Sequence, residues 1–319
     1  MPMQPPARRT RILLILTAVS ALLAALPWLL SHEQRELDFN ARLEAPGQFI
    51  QLADGWVHYR HEGDQARPAL VLVHGFNGPM STFKHNIEVF AQAGFQVLSY
   101  DLYGRGFSDR PPLEYDLDLF DRQLGELLVK LEVKPPVTLI GSSFGCIVAS
   151  EYALRHPGQV ERLVLVGPAG FPSPADRMAG ILSIPILSHY LYSVIGDRQM
   201  LGITRKYFVA PERFPEAEAA FREQISFHGY KRAALSTLRN TPLRDYSTGW
   251  RRVGASGLPV LLIWGREDVS FPYANHVDAL ELMPQAQLVT VEAAAHLPQY
   301  EQPEVVNAAV LAFLGARAD

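Results

Sequence analysis

Gly141-Ser142-Ser143-Phe144-Gly145 lies between two segments of opposite character. Before it, Val137-Thr138-Leu139-Ile140 is a β-branched apolar run of the kind that makes a buried strand. After it, Cys146 to Leu154 reads as helix. Strand, five-residue turn and helix are the context that a nucleophile elbow requires, with Ser143 at its apex. The two glycines have a steric reason, because a Cβ at 141 or 145 would crowd the neighbouring backbone of so tight a turn. The turn holds a serine hydroxyl up at a helix N-terminus, where backbone N–H groups can receive a developing oxyanion.

Serine alone is a poor nucleophile and needs a base that a third group orients. The chain supplies both, in the order nucleophile, acid, histidine. Val260-Leu261-Leu262-Ile263-Trp264-Gly265 is a second apolar strand, with Arg266-Glu267-Asp268 at its carboxyl end. Gln287-Leu288-Val289-Thr290-Val291 reads as a further strand, and His296 follows in the next loop. Acid and histidine both fall just beyond strand ends, the edge where open α/β sheets gather their sites. Glu267 is the rival to Asp268, and the strand–Gly–x–x–Asp spacing favours Asp268.

Upstream, the buried-strand run Ala69-Leu70-Val71-Leu72-Val73 leads into His74-Gly75-Phe76-Asn77-Gly78. The loop Tyr100-Asp101-Leu102-Tyr103-Gly104-Arg105-Gly106-Phe107-Ser108-Asp109 comes next, then the elbow, Gly265–Asp268 and Ala295-His296-Leu297-Pro298. Five such motifs in this order resemble the α/β-hydrolase superfamily, over most of residues 48–316. The resemblance implies an eight-stranded, mostly parallel sheet and an inserted helical cap. It implies Ser143, Asp268 and His296 as the catalytic residues, and the backbone N–H groups of Phe76 and Phe144 as oxyanion donors. His74 and Asp101 are expected to be structural.

Several other chemistries are disfavoured. Gly104-Arg105-Gly106 lacks the third glycine of a dinucleotide fingerprint, since position 109 is Asp. His58 and His61 are three apart on an expected strand and so point to opposite faces. With no H-E-x-x-H and no paired C-x-x-C, no metal is expected, and no cofactor either. The net charge of −4 carries no basic excess that would suggest nucleic acid. Cys146 is the only cysteine, so no intrachain disulfide can form.

The amino terminus speaks to location. Ile12 to Leu30 is free of charged residues and follows Arg8, Arg9 and Arg11. At about 1.5 Å per residue it nearly matches a hydrocarbon core of about 30 Å. Cleavage as a signal sequence, for example after Ala21, would leave Leu22 to Leu30 as a greasy mature end, which favours a retained anchor. The basic cluster stays cytoplasmic under the positive-inside rule. The globular domain is then on the non-cytoplasmic side, periplasmic in a bacterium; secretion after cleavage is the alternative.

The expected organisation is an anchor over 1–31, a polar linker over 32–47, and an α/β core formed by 48–170 and 247–319. Strands near Phe49–Leu52 and Val57–Arg60 open that core. Helical spacing marks Asn86–Ala93 and Leu117–Lys130, and Leu163–Val166 reads as a further buried strand. This alternation predicts a mostly parallel sheet with helices on both faces. It breaks over 171–246, where the resemblance places the cap, with helical segments expected over Met178–Ile195, interrupted at Pro185, and over Phe221–Arg239. Ile181, Leu182, Ile184, Ile186, Leu187, Tyr190, Leu191, Tyr192 and Val194 offer more apolar surface than a lone helix would bury; it can pack against the sheet domain, line a greasy substrate tunnel, or both, and cap residues within 171–246 are expected to contact substrate. The expected activity is hydrolysis of an apolar, lipid-like carboxylic ester through an acyl-enzyme on Ser143. The alternatives are C–C bond hydrolysis of a dienoate or diketone by the same triad, and a non-catalytic ligand-binding receptor. Epoxide-hydrolase and dehalogenase chemistry is disfavoured because those relatives place Asp where this chain has Ser143.

Overall fold

A computed structural model describes residues 8–174 and 185–315. Met178, Ile181, Leu182 and Ile184 lie outside the described residues. The chain opens with α1 (Arg8–Leu30) and the short α2 (Phe39–Glu44), whose first turn is capped by Asp38 accepting from Ala41 N–H at 2.9 Å. Then follow β1 (Gln48–Leu52), β2 (Gly55–Glu62), β3 (Ala69–Val73), α3 (Ile87–Gln92), β4 (Gln96–Tyr100), α4 (Leu117–Lys130), β5 (Val137–Ser142), α5 (Phe144–Arg155) and β6 (Val160–Val166). The cap holds α6 (Pro185–Arg205), α7 (Pro215–Ser226) and α8 (Tyr230–Asn240). The core resumes with α9 (Ser247–Ala255), β7 (Val260–Gly265), α10 (His276–Leu282), β8 (Gln287–Val291), α11 (Pro298–Glu301) and α12 (Pro303–Leu314).

The eight strands form one sheet in the order β1-β2-β4-β3-β5-β6-β7-β8. The β1–β2 and β2–β4 pairs are antiparallel and every later pair is parallel. The central strands β3, β4, β5 and β7 are buried along their whole length, which is why they read as continuous apolar runs rather than alternating ones. Helices cover both faces. Alternate strand residues such as Leu70, Leu72, Ile140 and Val164 pack with Ile87 and Phe90 of α3 and Val306 and Val310 of α12. Their neighbours Val71, Val73, Leu139 and Leu163 pack with Leu124 of α4, Ile147 of α5 and Trp250 of α9.

The cap departs from the sequence reading at two described places: α6 runs on to Arg205, past the expected end at Ile195, and the second expected segment is broken. The single helix expected over Phe221–Arg239 is two helices, broken between Ser226 and Tyr230, where Gly229 takes a positive φ of 90°. The break is held from outside: Ser226 O accepts from the N–H groups of Gln34 and Arg35, and His228 N–H donates to Arg35 O at 2.9 Å. The polar stretch after α1 is therefore bonded into the cap at this point.

Candidate active site

Ser143 follows directly on β5 and adopts φ 54°, ψ −117°, a conformation that side chains other than glycine rarely take. The backbone around it enforces this. Ser143 N–H donates to Val166 O at 2.9 Å, and Ser143 O accepts from Cys146 and Ala169 N–H at 3.0 and 3.2 Å. The glycines are needed for space: a Cβ at Gly145 would lie 2.1 Å from Val73 O, and one at Gly141 would lie 2.6 Å from the backbone of Cys146. Phe144 is the first residue of α5, so its N–H has no intrahelical acceptor. Gly75 approaches from the β3 loop, where an added Cβ would sit 3.6 Å from Ser143 Oγ. That close approach brings the loop carrying Phe76 beside the elbow.

Asp268 and His296 reach the same edge from β7 and β8. In the sheet register Ser142 lies opposite Val166 and Val166 opposite Ile263, while β7 runs on to Gly265, which lies opposite Val291 at the end of β8. Asp268 Oδ2 accepts from His296 Nδ1 at 2.7 Å, with both side chains buried. The other carboxylate oxygen, Oδ1, accepts from Ser270 N–H at 2.8 Å and Phe271 N–H at 3.0 Å. With Nδ1 committed to Asp268, the nitrogen left to face a proton donor is Nε2. Ser143 Oγ makes no hydrogen bond among the described residues, and the Asp268–His296 pair is bonded independently of it. Glu267 goes elsewhere: it is exposed, and its Oε2 accepts from Ala294 N–H at 3.2 Å.

The remaining residues singled out in the sequence are structural in their contacts. His74 is fully buried; its Nδ1 donates to Gly75 O at 2.8 Å and its Nε2 accepts from Leu102 N–H at 2.9 Å. Burial pushes its pKa down to about 4, so the ring is neutral. Asp101 accepts from His58 Nδ1 at 2.6 Å, Met80 N–H at 2.7 Å and Phe107 N–H at 2.9 Å. Burial alone would raise its pKa, but the bond from His58 and the other donors hold it below the ordinary carboxylate range. His61 instead meets the Gln96 amide at 2.7 Å, away from His58. Among the described residues no group of His, Cys, Asp and Glu is arranged to hold a metal ion.

The structure adds residues that sequence reading passed over. Arg105 is buried, donates to Phe76 O at 2.5 Å and to Thr237 Oγ1 of α8 at 3.2 Å, and lies over the Phe76 ring at 4.8 Å. It thus pins the residue proposed as an oxyanion donor to the cap. Asn77 is a second junction: it donates to Tyr207 Oη at 3.2 Å, accepts from Tyr230 Oη at 3.2 Å, and its carbonyl accepts from the Gln224 amide. Tyr207 in turn roofs His296, with ring centroids 4.9 Å apart, and its carbonyl accepts from His296 N–H at 3.0 Å. Arg105 and Asn77 stand inside motifs that the sequence exposed, while nothing local distinguishes Tyr207.

Comparison with known proteins agrees with this construction. Residues 70–309 match the model of the Alpha/beta hydrolase family. A 2-hydroxy-6-oxononadienedioate/2-hydroxy-6-oxononatrienedioate hydrolase of Burkholderia vietnamiensis is 28% identical over 272 residues, covering 81% of this chain and 90% of that one. Epoxide hydrolase 4 of Mus musculus is 26% identical over 302 residues, covering 83% of this chain and 79% of that one. The crystal structure of a hydrolase from Pseudomonas aeruginosa superposes with a TM-score of 0.68 at 28% identity, covering 86% of this chain and the whole of that one. A matched span of this length, on an eight-stranded sheet whose strand ends carry the elbow and the Asp–His pair, makes this chain a member of the alpha/beta hydrolase family.

Proposed function

We propose that the protein is a serine hydrolase that cleaves carboxylic esters of apolar, lipid-like acyl chains, with Ser143, His296 and Asp268 as its triad. Ser143 Oγ attacks the ester carbonyl carbon while its proton passes to His296 Nε2. Asp268 keeps the imidazole in the required tautomer and stabilises its charge. The tetrahedral oxyanion is received by the N–H groups of Phe76 and Phe144, each worth about 2.7–4 kcal/mol by analogy with measured donors. Collapse expels the alkoxide, which takes the proton from His296 and leaves as alcohol. Water then attacks the acyl-enzyme, giving its proton to His296, and the acid departs with Ser143 restored.

The observation that carries this reading is the buried 2.7 Å bond from His296 Nδ1 to Asp268 at the strand edge where Ser143 is held at φ 54°. The same facts weigh against epoxide opening despite the murine relative. A carboxylate nucleophile gives an ester that water can hydrolyse, whereas Ser143 Oγ would give an ether and stall. C–C hydrolysis of a dienoate is the second reading, favoured by the Burkholderia relative, whose length is almost fully covered. p-Nitrophenyl esters of graded length, run beside a dienoate, separate the two. Turnover of the dienoate alone would reverse the order, and turnover of neither would favour a receptor. A fluorophosphonate should label Ser143; a label on Ser142 would displace the nucleophile assignment.

The chain is proposed to be held in a membrane by α1, uncleaved, with the catalytic domain on the non-cytoplasmic side. Arg9–Leu30 is long and apolar enough to cross a bilayer, and no residue of the apolar window within it is buried. A carbonate wash of membranes tests this: intact protein in the supernatant would end the anchor reading.

A further inference from the structure

Pro27 sits inside α1 and has no N–H, so the carbonyl four residues earlier, Leu23 O, loses its intrahelical donor. In hydrocarbon an unsatisfied carbonyl costs several kcal/mol. The structure fills that vacancy from the cap: Tyr190 Oη of α6 donates to Leu23 O at 2.8 Å, and α6 packs along α1. Pro27, Ala25 and Leu26 are half-buried at this contact, whereas the rest of α1 on either side is exposed.

The two helices run in the same direction. Tyr190 meets Leu23, and further along Asp197 Oδ2 accepts from His32 N–H at 2.8 Å. The polar boundaries of these two helices coincide as well, although Arg239 of the neighbouring α8 donates to Ser188 Oγ below that level, so its exposed guanidinium has to snorkel toward the headgroups. From Pro185 to Gly196, α6 contains no Asp, Glu, Lys or Arg, and Asp197-Arg198-Gln199 then follow. Opposite Asp197, α1 has just given way to Ser31, His32 and Glu33. Buried Lys231 of α8 ties this level together, donating to Ser31 Oγ at 2.8 Å, Asp197 Oδ2 at 3.2 Å and Ser193 O at 3.3 Å, while its N–H reaches Glu33 Oε1 at 2.5 Å.

We infer that the first three turns of α6 are embedded in the membrane leaflet beside α1, so that the cap is inserted in lipid rather than suspended over it on a linker. This rests on the proposed anchoring by α1. If Leu30 marks the far edge of the hydrocarbon, Leu23 lies about 10 Å beneath it, and the α6 residues N-terminal to Tyr190 go deeper at about 1.5 Å per residue. Leu187 and Ile195, both exposed in the isolated molecule, then contact acyl chains. The occupant of this surface is the lipid leaflet, because the surface continues directly from a spanning helix and ends at the same polar level. Since α6 packs against α7 and α8, which carry Phe221 and Tyr230, an ester dissolved in the leaflet meets the roof of the site without first crossing water.

Cys146 is the only cysteine and is buried, so single surface cysteines can be labelled in the full chain. Leu187→Cys, Ile195→Cys, Leu16→Cys and Val277→Cys are each coupled to an environment-sensitive fluorophore in phosphatidylcholine vesicles that contain acyl-chain nitroxide lipid. Fluorophosphonate labelling of Ser143 confirms that each variant is folded. The Leu187 probe should lose emission as strongly as the Leu16 probe in α1, the Ile195 probe less, and the Val277 probe on α10 not at all. A quenched Leu16 probe with Leu187 behaving like Val277 would overturn the insertion while leaving the anchor intact. An unquenched Leu16 probe would overturn both. Ester turnover in the same samples reports separately on the chemistry, and Tyr190→Phe should lower the quenching at Leu187 if the Leu23 bond holds the helices together.

Discussion

The carboxyl edge of the sheet and the cap above it hold their residues in place by different means. At the edge, position is set by backbone. Ser143 is locked at a positive φ by three main-chain bonds, and Gly145 has no room for a single added carbon. In the cap, position is set by side chains reaching across long sequence separations, as with Asn77 between Tyr207 and Tyr230, or Arg105 between Phe76 and Thr237. The proposed chemistry thus stands on the part of the molecule held by main-chain bonds, and the proposed substrate contact on the part held by side chains. That division is open to tests at both ends.

The most severe test removes the proposed nucleophile or base. Ser143→Ala or His296→Ala should keep the fold and cost about 10⁴-fold or more in kcat/KM. The double variant should be no worse than either single one, because both act in one proton transfer. Multiplying losses would mean that the two do not form a unit. Next in size, Gly145→Ala drives a Cβ against the Val73 carbonyl and should cost about 3 kcal/mol in urea unfolding. An unchanged midpoint would contradict the claim that this edge has no room for an added carbon.

The third test uses pH. Folded His74 is depressed to about 4, while the unfolded chain has the ordinary value near 6.5. Between those values the unfolded state binds a proton that the folded state refuses. The contribution of His74 is therefore complete above about pH 6.5 and falls on acidification by about 1.4 kcal/mol per pH unit toward pH 4. His74→Gln should flatten that decline in urea midpoints taken at pH 7, 6 and 5. An identical slope in the variant would assign the acid sensitivity to other groups.

Smaller effects belong to the cap. Each methylene that an acyl chain buries there should contribute up to about 0.8 kcal/mol, so kcat/KM should rise several-fold per carbon until the space is full. A monotonic fall from acetate to dodecanoate would end the lipid-like reading. The smallest effect is the counterpart of Gly145. Gly202 lies within α6 with nothing inside 4 Å of an added Cβ, so Gly202→Ala should stabilise by about 0.5–1 kcal/mol, seen as a higher urea midpoint. A loss would show that the cap is packed as tightly as the sheet edge.

What could be read from the chain alone was whatever local chemistry requires. Gly141 and Gly145 mark a turn with no space for side chains, the runs at 69–73, 137–140 and 260–265 are apolar because those strands are buried on both faces, and α4 begins and ends where its pattern does. Three features were settled only by folding, because each depends on partners distant in sequence. Asp268 and Glu267 are adjacent carboxylates of the same loop, and only the packing of the β7 and β8 loops turns one toward His296 and the other toward Ala294. The break between α7 and α8 follows from Arg35 and Gln34 bonding at Ser226 and His228, nearly two hundred residues away. Pro27 lies inside the apolar run that the sequence marks as an anchor, but the donor for the carbonyl it orphans is Tyr190, which only the tertiary fold brings within reach.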